Sequence, residues 1–237
     1  MTRKSLLAAA SAGFAALVLC ASAQAFDLNE NIDIAPGSES GGKSTVNGSI
    51  TVGSEAVVDG DLETVNGSIR IDEGARVGDA QTVNGKIRLA SGVTAGGIQS
   101  VNGAVTVERD STLDDIDVVN GEIRIEAGVR VASDVANVNG EIRIAGAEIG
   151  GDLDTVNGDV TLSDGTRVAG DFTVHEPEGF NFGSDEPKIV IGPGVRVDGA
   201  IVLEREVELY VSDDATIGEV RGVMSLDDAE RFSGDHP

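Results

Sequence analysis

The tripeptide Val-Asn-Gly occurs seven times in this chain, at nearly constant intervals. Its asparagines, separated by 18 or 19 residues, are Asn47, Asn66, Asn84, Asn102, Asn120, Asn139 and Asn157. A fixed period of this length is typical of a repeat architecture, in which each unit buries its apolar face only by stacking on its neighbours. The sequence therefore predicts an elongated, repetitive fold rather than a conventional globular core.

Apolar residues recur every six residues within the repeat, without interruption from Val65 to Val131 and at most of the expected places up to Val174. Three such intervals make one coil of about 18 residues with three short sides. The segment Ile69-Arg70-Ile71 alternates apolar and polar residues, as a strand with one buried face does. We therefore predict an all-β fold, a single-stranded parallel β-solenoid with about 18 residues per three-sided coil.

The six-residue phase also assigns positions within a coil. Val119 is predicted to point into the tube and to contact Val101 and Val138 in the adjacent coils. The seven asparagines are predicted to form one structural ladder of amides at a corner, each bonded to the next coil or to the turn. Glycines that are expected to need a positive φ form a second column, namely Gly74, Gly92, Gly128, Gly146 and Gly165.

A competing interpretation takes each Asn-Gly pair as a type I′ hairpin turn, which gives an antiparallel meander or barrel. An alternating arm from Val77 to Val83 would then bury Asp79 and Gln81 on the same face as the valines. The six-residue phase avoids that burial, so it favours the solenoid.

The N-terminus has the features of a secretory signal peptide. An Arg3-Lys4 pair precedes the apolar stretch 6–19, and Ala23-Gln24-Ala25 matches the small-x-small pattern that precedes cleavage. We predict a signal peptide over residues 1–25, cleaved after Ala25. The apolar stretch is short for a membrane span of about 20 residues. Lipoprotein processing at Cys20 is the alternative, and a leucine directly before the cysteine disfavours it.

Cleavage would leave a strongly acidic chain without cysteine. The signal peptide contains the single cysteine and two positive charges, so a net charge of −24 becomes −26. A disulfide framework is then impossible, and stability must come from stacking. Such a charge opposes binding to nucleic acid and to bare anionic lipid. We expect a periplasmic or secreted protein of the outer cell envelope, with no transmembrane segment in the mature chain.

The rhythm of the repeat also predicts the domain organisation. We expect an N-terminal cap or linker over residues 26–44, a solenoid over 45–221 and a C-terminal tail or cap over 222–237. The six-residue beat breaks between residues 175 and 188, which predicts a loop insertion there. Polar terminal segments are expected to cover the unpaired edges of the sheets.

Catalytic chemistry has few candidate residues. The histidines are His175 and His236, and the sequence has no Ser-His-Asp set, zinc-ligand spacing or phosphate-binding loop. Hexapeptide-repeat acyltransferases use a loop histidine, for which His175 is the candidate. Solenoid lyases and hydrolases use clustered carboxylates, for which the candidates are Asp114, Asp115 and Asp117, or Asp152 and Asp154. Solvated acidic turns explain these carboxylates more simply, so we expect a protein that is not an enzyme, with no catalytic, cofactor-binding or metal residues.

Three other polar patterns have a structural explanation. Asn47-Gly48-Ser49 and Asn66-Gly67-Ser68 match the glycosylation acceptor, but the third residue varies in the other repeats. Stacked carboxylates are suited to calcium, yet the Gly-Gly-x-Gly-x-Asp nonapeptide is absent, so calcium binding stays open. One outer stripe is predicted to contain Arg70, Arg88, Arg124 and Arg143, with Glu122 and Glu141 two residues before the last two arginines, and these charges are expected to form surface ion pairs.

The element Val-Asn-Gly-x-Ile-x-Ile followed by Gly-x-x-Val resembles the bacterial adhesin-type β-strand-repeat proteins. It is also similar to bactofilins, the polymer-forming cytoskeletal solenoids, over roughly residues 45–220. The resemblance implies a right-handed, three-sided β-helix. Most bactofilins have no secretion signal, so the predicted signal peptide favours a role in the envelope over a cytoskeletal one.

We therefore expect a secreted, non-catalytic structural or adhesin-like β-solenoid of the bacterial cell envelope. Its expected partner is another copy of itself, through self-assembly, or an envelope component. The alternative is a glycan-binding or carbohydrate-active β-helix of the lyase or hydrolase type. Exposed aromatic residues lining a groove would favour the alternative.

Overall fold

A computed structural model describes residues 29–177, 186–234 and 237 of the chain. The predicted signal peptide 1–25, with Cys20, and also His236 lie outside the described residues. The described residues form short β-strands and one 3-10 helix, Leu226–Asp228, with no α-helix among them. The predicted all-β class is confirmed.

Twenty-seven strands follow one another along the chain. In order they are β1 (Ile32–Ile34), β2 (Glu39–Thr45), β3 (Ile50–Val52), β4 (Val57–Thr64), β5 (Ile69–Ile71), β6 (Ala80–Asn84), β7 (Ile87–Leu89), β8 (Ile98–Asn102), β9 (Val105–Val107), β10 (Thr112–Leu113), β11 (Ile116–Asn120), β12 (Ile123–Ile125), β13 (Arg130–Val131), β14 (Val135–Asn139), β15 (Ile142–Ala145), β16 (Glu148–Ile149), β17 (Leu153–Asn157), β18 (Val160–Ser163), β19 (Arg167–Val168), β20 (Phe172–Val174), β21 (Lys188–Ile191), β22 (Arg196–Val197), β23 (Ile201–Leu203), β24 (Glu208–Ser212), β25 (Thr216–Ile217), β26 (Val220–Gly222) and β27 (Glu230–Phe232).

The strands form three parallel sheets, one for each side of a solenoid of about ten coils. The eleven-stranded sheet runs β1-β3-β5-β7-β9-β12-β15-β18-β21-β24-β27, and the ten-stranded sheet runs β2-β4-β6-β8-β11-β14-β17-β20-β23-β26. The six-stranded sheet runs β10-β13-β16-β19-β22-β25. Each strand pairs in parallel with its equivalent in the next coil, as Ile116 of β11 does with Ile98 and Val135. The predicted parallel solenoid is therefore present, and the hairpin alternative is wrong.

The solenoid is longer than predicted at both ends. Strands β1 and β2 lie inside the segment assigned to an N-terminal cap, and they pair with β3 and β4. At the other end, β27 lies inside the predicted tail and pairs with β24. The sequences of β2 and β27 are more polar than those of the central strands, which hides the apolar beat although the backbone pairing continues.

The predicted insertion lies between β20 and β21. In the preceding coil the chain passes from Asn157 to Val160 across two residues, whereas here it leaves one sheet at Val174 and enters the next at Lys188. The described flanks of this segment are 175–177 and 186–187. The coil on either side keeps its register, since Thr155 pairs with Val174.

The interior of the tube is a stack of aliphatic side chains. Ile71, Leu89, Val107 and Ile125 form one buried column on the eleven-stranded sheet. Leu113, Val131, Ile149 and Val168 form another on the six-stranded sheet. Branched side chains of this kind favour strands and pack well on identical neighbours. The six-residue beat is thus confirmed on two of the three sides.

On the third side the predicted phase is wrong by one residue. In β11 the buried residues are Ile116 and Val118, whereas Val119 faces outward and is half-buried. The same holds for Val101 and Val138, which were predicted to contact it inside the tube. Because side chains alternate along a strand, a shift of one residue exchanges the two faces.

A column of polar residues, interrupted by one valine, occupies the inner position on that side. It consists of Thr45, Thr64, Thr82, Ser100, Val118, Asn137 and Thr155. The Oγ1 atoms of Thr64 and Thr82 donate to the carbonyl oxygens of Gly48 and Gly67, each across 2.9 Å. Thus the hydroxyl satisfies a buried carbonyl at the corner, which valine does not do.

The two glycine columns have different physical causes. Gly74, Gly92, Gly128, Gly146 and Gly165 have φ between 66° and 77°, as predicted. The glycine of Asn-Gly is required for space instead, because a Cβ on Gly67 would lie 1.9 Å from the carbonyl oxygen of Gly48. A side chain at that corner is therefore incompatible with the spacing of the coils.

We predict that Val118→Thr will not lower the melting temperature. The new hydroxyl would lie at the position in its own coil that is equivalent to Thr82 Oγ1, which donates to a corner carbonyl oxygen. Such a hydrogen bond contributes about 1 kcal/mol. The matched control is Val107→Thr, because Val107 is buried between Leu89 and Ile125. There the hydroxyl has no corner carbonyl to reach, and about 1–3 kcal/mol is lost. Equal melting temperatures for the two variants would contradict the assigned inner column.

Candidate functional site

The seven asparagines of Val-Asn-Gly form one continuous ladder along a corner of the solenoid. Each Nδ2 donates to the Oδ1 of the asparagine one coil earlier, over distances of 2.8 to 3.0 Å between Asn47 and Asn157. An amide is both donor and acceptor, so identical rungs satisfy one another. The ladder lies at the surface of the protein, and its side-chain amides are hydrogen-bonded from coil to coil.

Each end of the ladder has a residue that lies outside the Val-Asn-Gly motif. Asn47 donates to Oδ1 of Asn29 over 2.6 Å, so Asn29 is an eighth rung although no Val-Asn-Gly surrounds it. At the other end, Nη1 of Arg205 donates to Oδ1 of Asn157 over 2.8 Å. Arg205 lies 48 residues from Asn157 in sequence because the insertion separates their coils. Asn29 lies one repeat length of 18 residues before Asn47, so extending the period would have found it, whereas no periodic signal points to Arg205.

Aspartates form a second ladder along the edge of the ten-stranded sheet at which its strands begin. The Oδ1 of Asp134 accepts the backbone N–H of Asp152 over 2.7 Å, and Oδ1 of Asp152 accepts that of Asp171 over 2.8 Å. Asp61 and Asp79 do the same for the coils that follow them. Each carboxylate thus satisfies a backbone donor at a corner. Asp152, a predicted candidate for catalysis, belongs to this ladder.

Between the two ladders, the outer face of the ten-stranded sheet is acidic. From β4 to β20, its described outward positions contain no lysine or arginine. Burial, together with the charges of Asp115, Asp134 and Asp154, raises the pKa of Asp117 to about 6. Burial and the neighbouring carboxylates also raise the pKa of Asp115. The carboxylates of Asp115 and Asp117 are therefore destabilised by burial and by the charges of neighbouring carboxylates.

His175 lies on the same face, where the chain begins its insertion. Its Nε2 is 2.9 Å from Oδ1 of Asp154, and its Nδ1 is 3.4 Å from Oε2 of Glu204. The side chains of His175 and Asp154 are 10% and 11% exposed. The hydrogen bond with Asp154, aided by both acidic charges, raises the pKa of His175 although burial acts in the opposite direction.

This arrangement binds three coils together. Asp154 belongs to β17, His175 follows β20 and Glu204 follows β23, and these strands are neighbours in one sheet. Nε2 is hydrogen-bonded to Asp154, whereas the buried Nδ1 lies near Glu204 without a hydrogen bond to it. The structure brings His175 and Asp154 together, as no sequence pattern predicted. Asp114 is exposed, and Asp115 and Asp117 lie on the same acidic face.

Several other charged residues form ion pairs on the other two sides. Arg143 contacts Glu141 over 2.6 Å and Glu122 over 3.1 Å, and Arg70 contacts Asp72 over 2.8 Å. These side chains are largely exposed, so each pair contributes little to stability. The predicted glutamates therefore pair with Arg143, whereas Arg124 pairs with Glu126 and Arg88 with Glu108.

No group of three or more histidine, cysteine, aspartate or glutamate side chains in the described part of the chain is placed to hold a metal ion. Among the same residues, no helix has the length and apolar character that crossing a bilayer requires.

Comparisons with known proteins leave the architecture as the main finding. No protein family, no curated protein and no solved structure matches this chain.

We predict that Asp117→Asn stabilises the protein at neutral pH. The pKa of Asp117 is raised from 3.8 to about 6 in the folded state. The folded state therefore binds the proton more tightly, and stability falls as pH rises through this window. Asparagine removes this loss of stability, which is at most about 3 kcal/mol at pH values above the folded-state pKa. Denaturant unfolding as a function of pH measures the effect, and Asp59→Asn, at an exposed position of the same sheet, is the control. A variant with unchanged stability would contradict the desolvated setting of Asp117.

We also predict that the imidazole of His175 titrates above the ordinary value of about 6.5, and that Asp154→Asn lowers its pKa. Because the folded pKa is raised, the stabilisation is fully present below about pH 6.5 and is lost as pH rises through the folded value. NMR titration of the imidazole resonances measures this, with His236→Ala identifying the second histidine. A His175 pKa that is unaffected by Asp154→Asn would contradict the contact.

Proposed function

We propose that this protein is a secreted, non-catalytic structural or adhesin-like β-solenoid of the bacterial cell envelope. The observation that carries the proposal is how its repeated polar side chains are used. Asparagines bond asparagines, and aspartates bond the backbone N–H of the next coil. Residues used in this way maintain a long regular surface, which is what a structural or adhesive rod requires.

The histidine site supports the same proposal. An acid–base catalyst needs a ring nitrogen within hydrogen-bond reach of a substrate atom. His175 is 8% exposed, and its two nitrogens face Asp154 and Glu204. It ties the start of the insertion to the coils on either side of β20. We therefore assign it a structural role.

The end coils support action as single rods rather than as end-to-end polymers. Lys43 of β2 occupies the register position of Leu62, which is buried one coil further on. Arg231 of β27 occupies the position of Val211, which is buried in β24. A charged side chain at an inner position of an edge strand opposes addition of another strand, because stacking would bury the charge.

Localisation and binding experiments test the proposed function. Fractionation of the native organism, with mass spectrometry of the mature N-terminus, should place the protein in the envelope or medium with cleavage after Ala25. Purified mature protein should then bind isolated envelope material without releasing sugars from it. Turnover of a glycan that is abolished by His175→Ala or Asp152→Asn would instead establish the carbohydrate-active alternative.

We predict that the double variant Lys43→Leu, Arg231→Val associates end to end. It replaces both charges at the inner positions by apolar side chains, so the terminal coils resemble those in the middle of the rod. Light scattering over a range of salt concentrations should show a monomeric wild type and concentration-dependent growth of the variant. The control is Lys86→Leu, Arg124→Val, which removes two exposed charges away from the ends. A wild type that assembles as readily as the double variant would contradict the capping role.

A further inference from the structure

The Asn-Gly pairs of the ladder are prone to a reaction within the chain, and the fold protects some pairs from it more than others. In an Asn-Gly sequence the backbone nitrogen of glycine can attack the asparagine side-chain carbonyl, because glycine has no Cβ to hinder the approach. A bond forms between that nitrogen and Cγ, and the Cγ–Nδ2 bond breaks with release of ammonia. Water then opens the resulting succinimide to aspartate or isoaspartate. Base from the solvent accepts the proton of the glycine N–H.

This reaction has three requirements that the structure can meet or prevent. The glycine N–H must be free of a hydrogen bond, since deprotonation and attack begin there. The asparagine side chain must rotate away from its own partners. The backbone at asparagine must leave the extended conformation to close a five-membered ring. A rung of the ladder that lies at the end of a strand therefore resists reaction.

The three central rungs oppose all three requirements. Asn84, Asn102 and Asn120 are the last residues of β6, β8 and β11. The N–H groups of the glycines that follow them, Gly85, Gly103 and Gly121, donate to the asparagine carbonyl of the next coil over 3.2, 3.0 and 2.9 Å. Their side chains are bonded on both sides within the ladder.

The pair Asn66-Gly67 differs from these rungs in backbone structure. Asn66 lies in a bend after β4 rather than within a strand. Among the described residues, no carbonyl or side chain accepts a hydrogen bond from the N–H of Gly67. The side chain of Asn66 is exposed and is restrained by its two ladder bonds, to Asn47 and from Asn84, each of 2.9 Å. The backbone N–H of Asn66 donates to the carbonyl oxygen of Val46 over 2.7 Å, as that of Asn84 does to Val65. The pair therefore differs from the central rungs mainly in the glycine N–H, which meets the first requirement.

We propose that Asn66 is a site of spontaneous succinimide formation and deamidation in the folded protein, and that Asn84, Asn102 and Asn120 are protected. Conversion of Asn66 replaces Nδ2 by an oxygen. The donor to Oδ1 of Asn47 is then lost, and two acceptors face each other at that rung. The modification also adds a negative charge to an already acidic chain. The fold thus determines which of several identical sequence motifs is modified.

Peptide mapping by mass spectrometry tests this proposal. Folded mature protein is incubated in mildly alkaline buffer, and conversion at Asn66, Asn84, Asn102 and Asn120 is followed against time. The same incubation in urea gives the reactivity of the unfolded chain. We expect similar rates for the four sites in urea, and faster conversion of Asn66 than of the other three in the folded protein. Uniform rates in the folded protein, or faster conversion of a central rung, would overturn the proposal.

A ladder variant separates side-chain restraint from backbone effects. Asn84→Ala removes the donor to Oδ1 of Asn66, so Asn66 should convert about fivefold faster, the factor for one hydrogen bond of about 1 kcal/mol. The control is Asn139→Ala, whose ladder partners are Asn120 and Asn157. It should leave the rate at Asn66 unchanged. An equal effect of both variants would indicate general loosening of the solenoid, and no effect of Asn84→Ala would remove the ladder from the explanation.

Discussion

Every side chain in the repeated part of this protein must be able to stack on the equivalent side chains of the adjacent coils. Parallel strands in register place equivalent residues of successive coils about 4.8 Å apart, as the pairing of Arg70 with Arg88 and of Ile69 with Ile87 shows. Aliphatic residues meet this condition by packing, and asparagine meets it by being donor and acceptor at once. Arginine meets it only with acidic partners beside it, such as Asp72 beside Arg70.

Acidic residues stack at two kinds of position, and only at the corner does each carboxylate face a hydrogen-bond donor. At the corner, Asp134 and Asp152 accept backbone N–H groups, so each carboxylate faces a donor rather than another carboxylate. On the flat face, Asp117 is close to the charges of Asp115, Asp134 and Asp154, and its pKa rises to about 6. His175 relieves the same repulsion for Asp154, its partner at 2.9 Å.

Periodicity predicted most of the fold, because a regular spacing of apolar residues directly reflects regular stacking. It was wrong where two neighbouring residues competed for the inner position, as Thr64 and Val65 do. Hydrophobicity favours the valine, but the corner carbonyl of Gly48 needs a donor, and Thr64 supplies it. Contacts across the insertion could not be predicted at all, since the distances in sequence from His175 to Glu204 and from Asn157 to Arg205 are outside the repeat.

The asparagine ladder also has a direction. All its amides point the same way, from Nδ2 of one rung to Oδ1 of the rung before, so their dipoles add along the rod as peptide dipoles do along a helix. The carbonyl end of this row is Asn157, where the guanidinium of Arg205 is bound, and a cation stabilises the negative end of aligned dipoles. The rod is therefore electrically polar along its axis, and an ion or a charged partner would distinguish one end from the other.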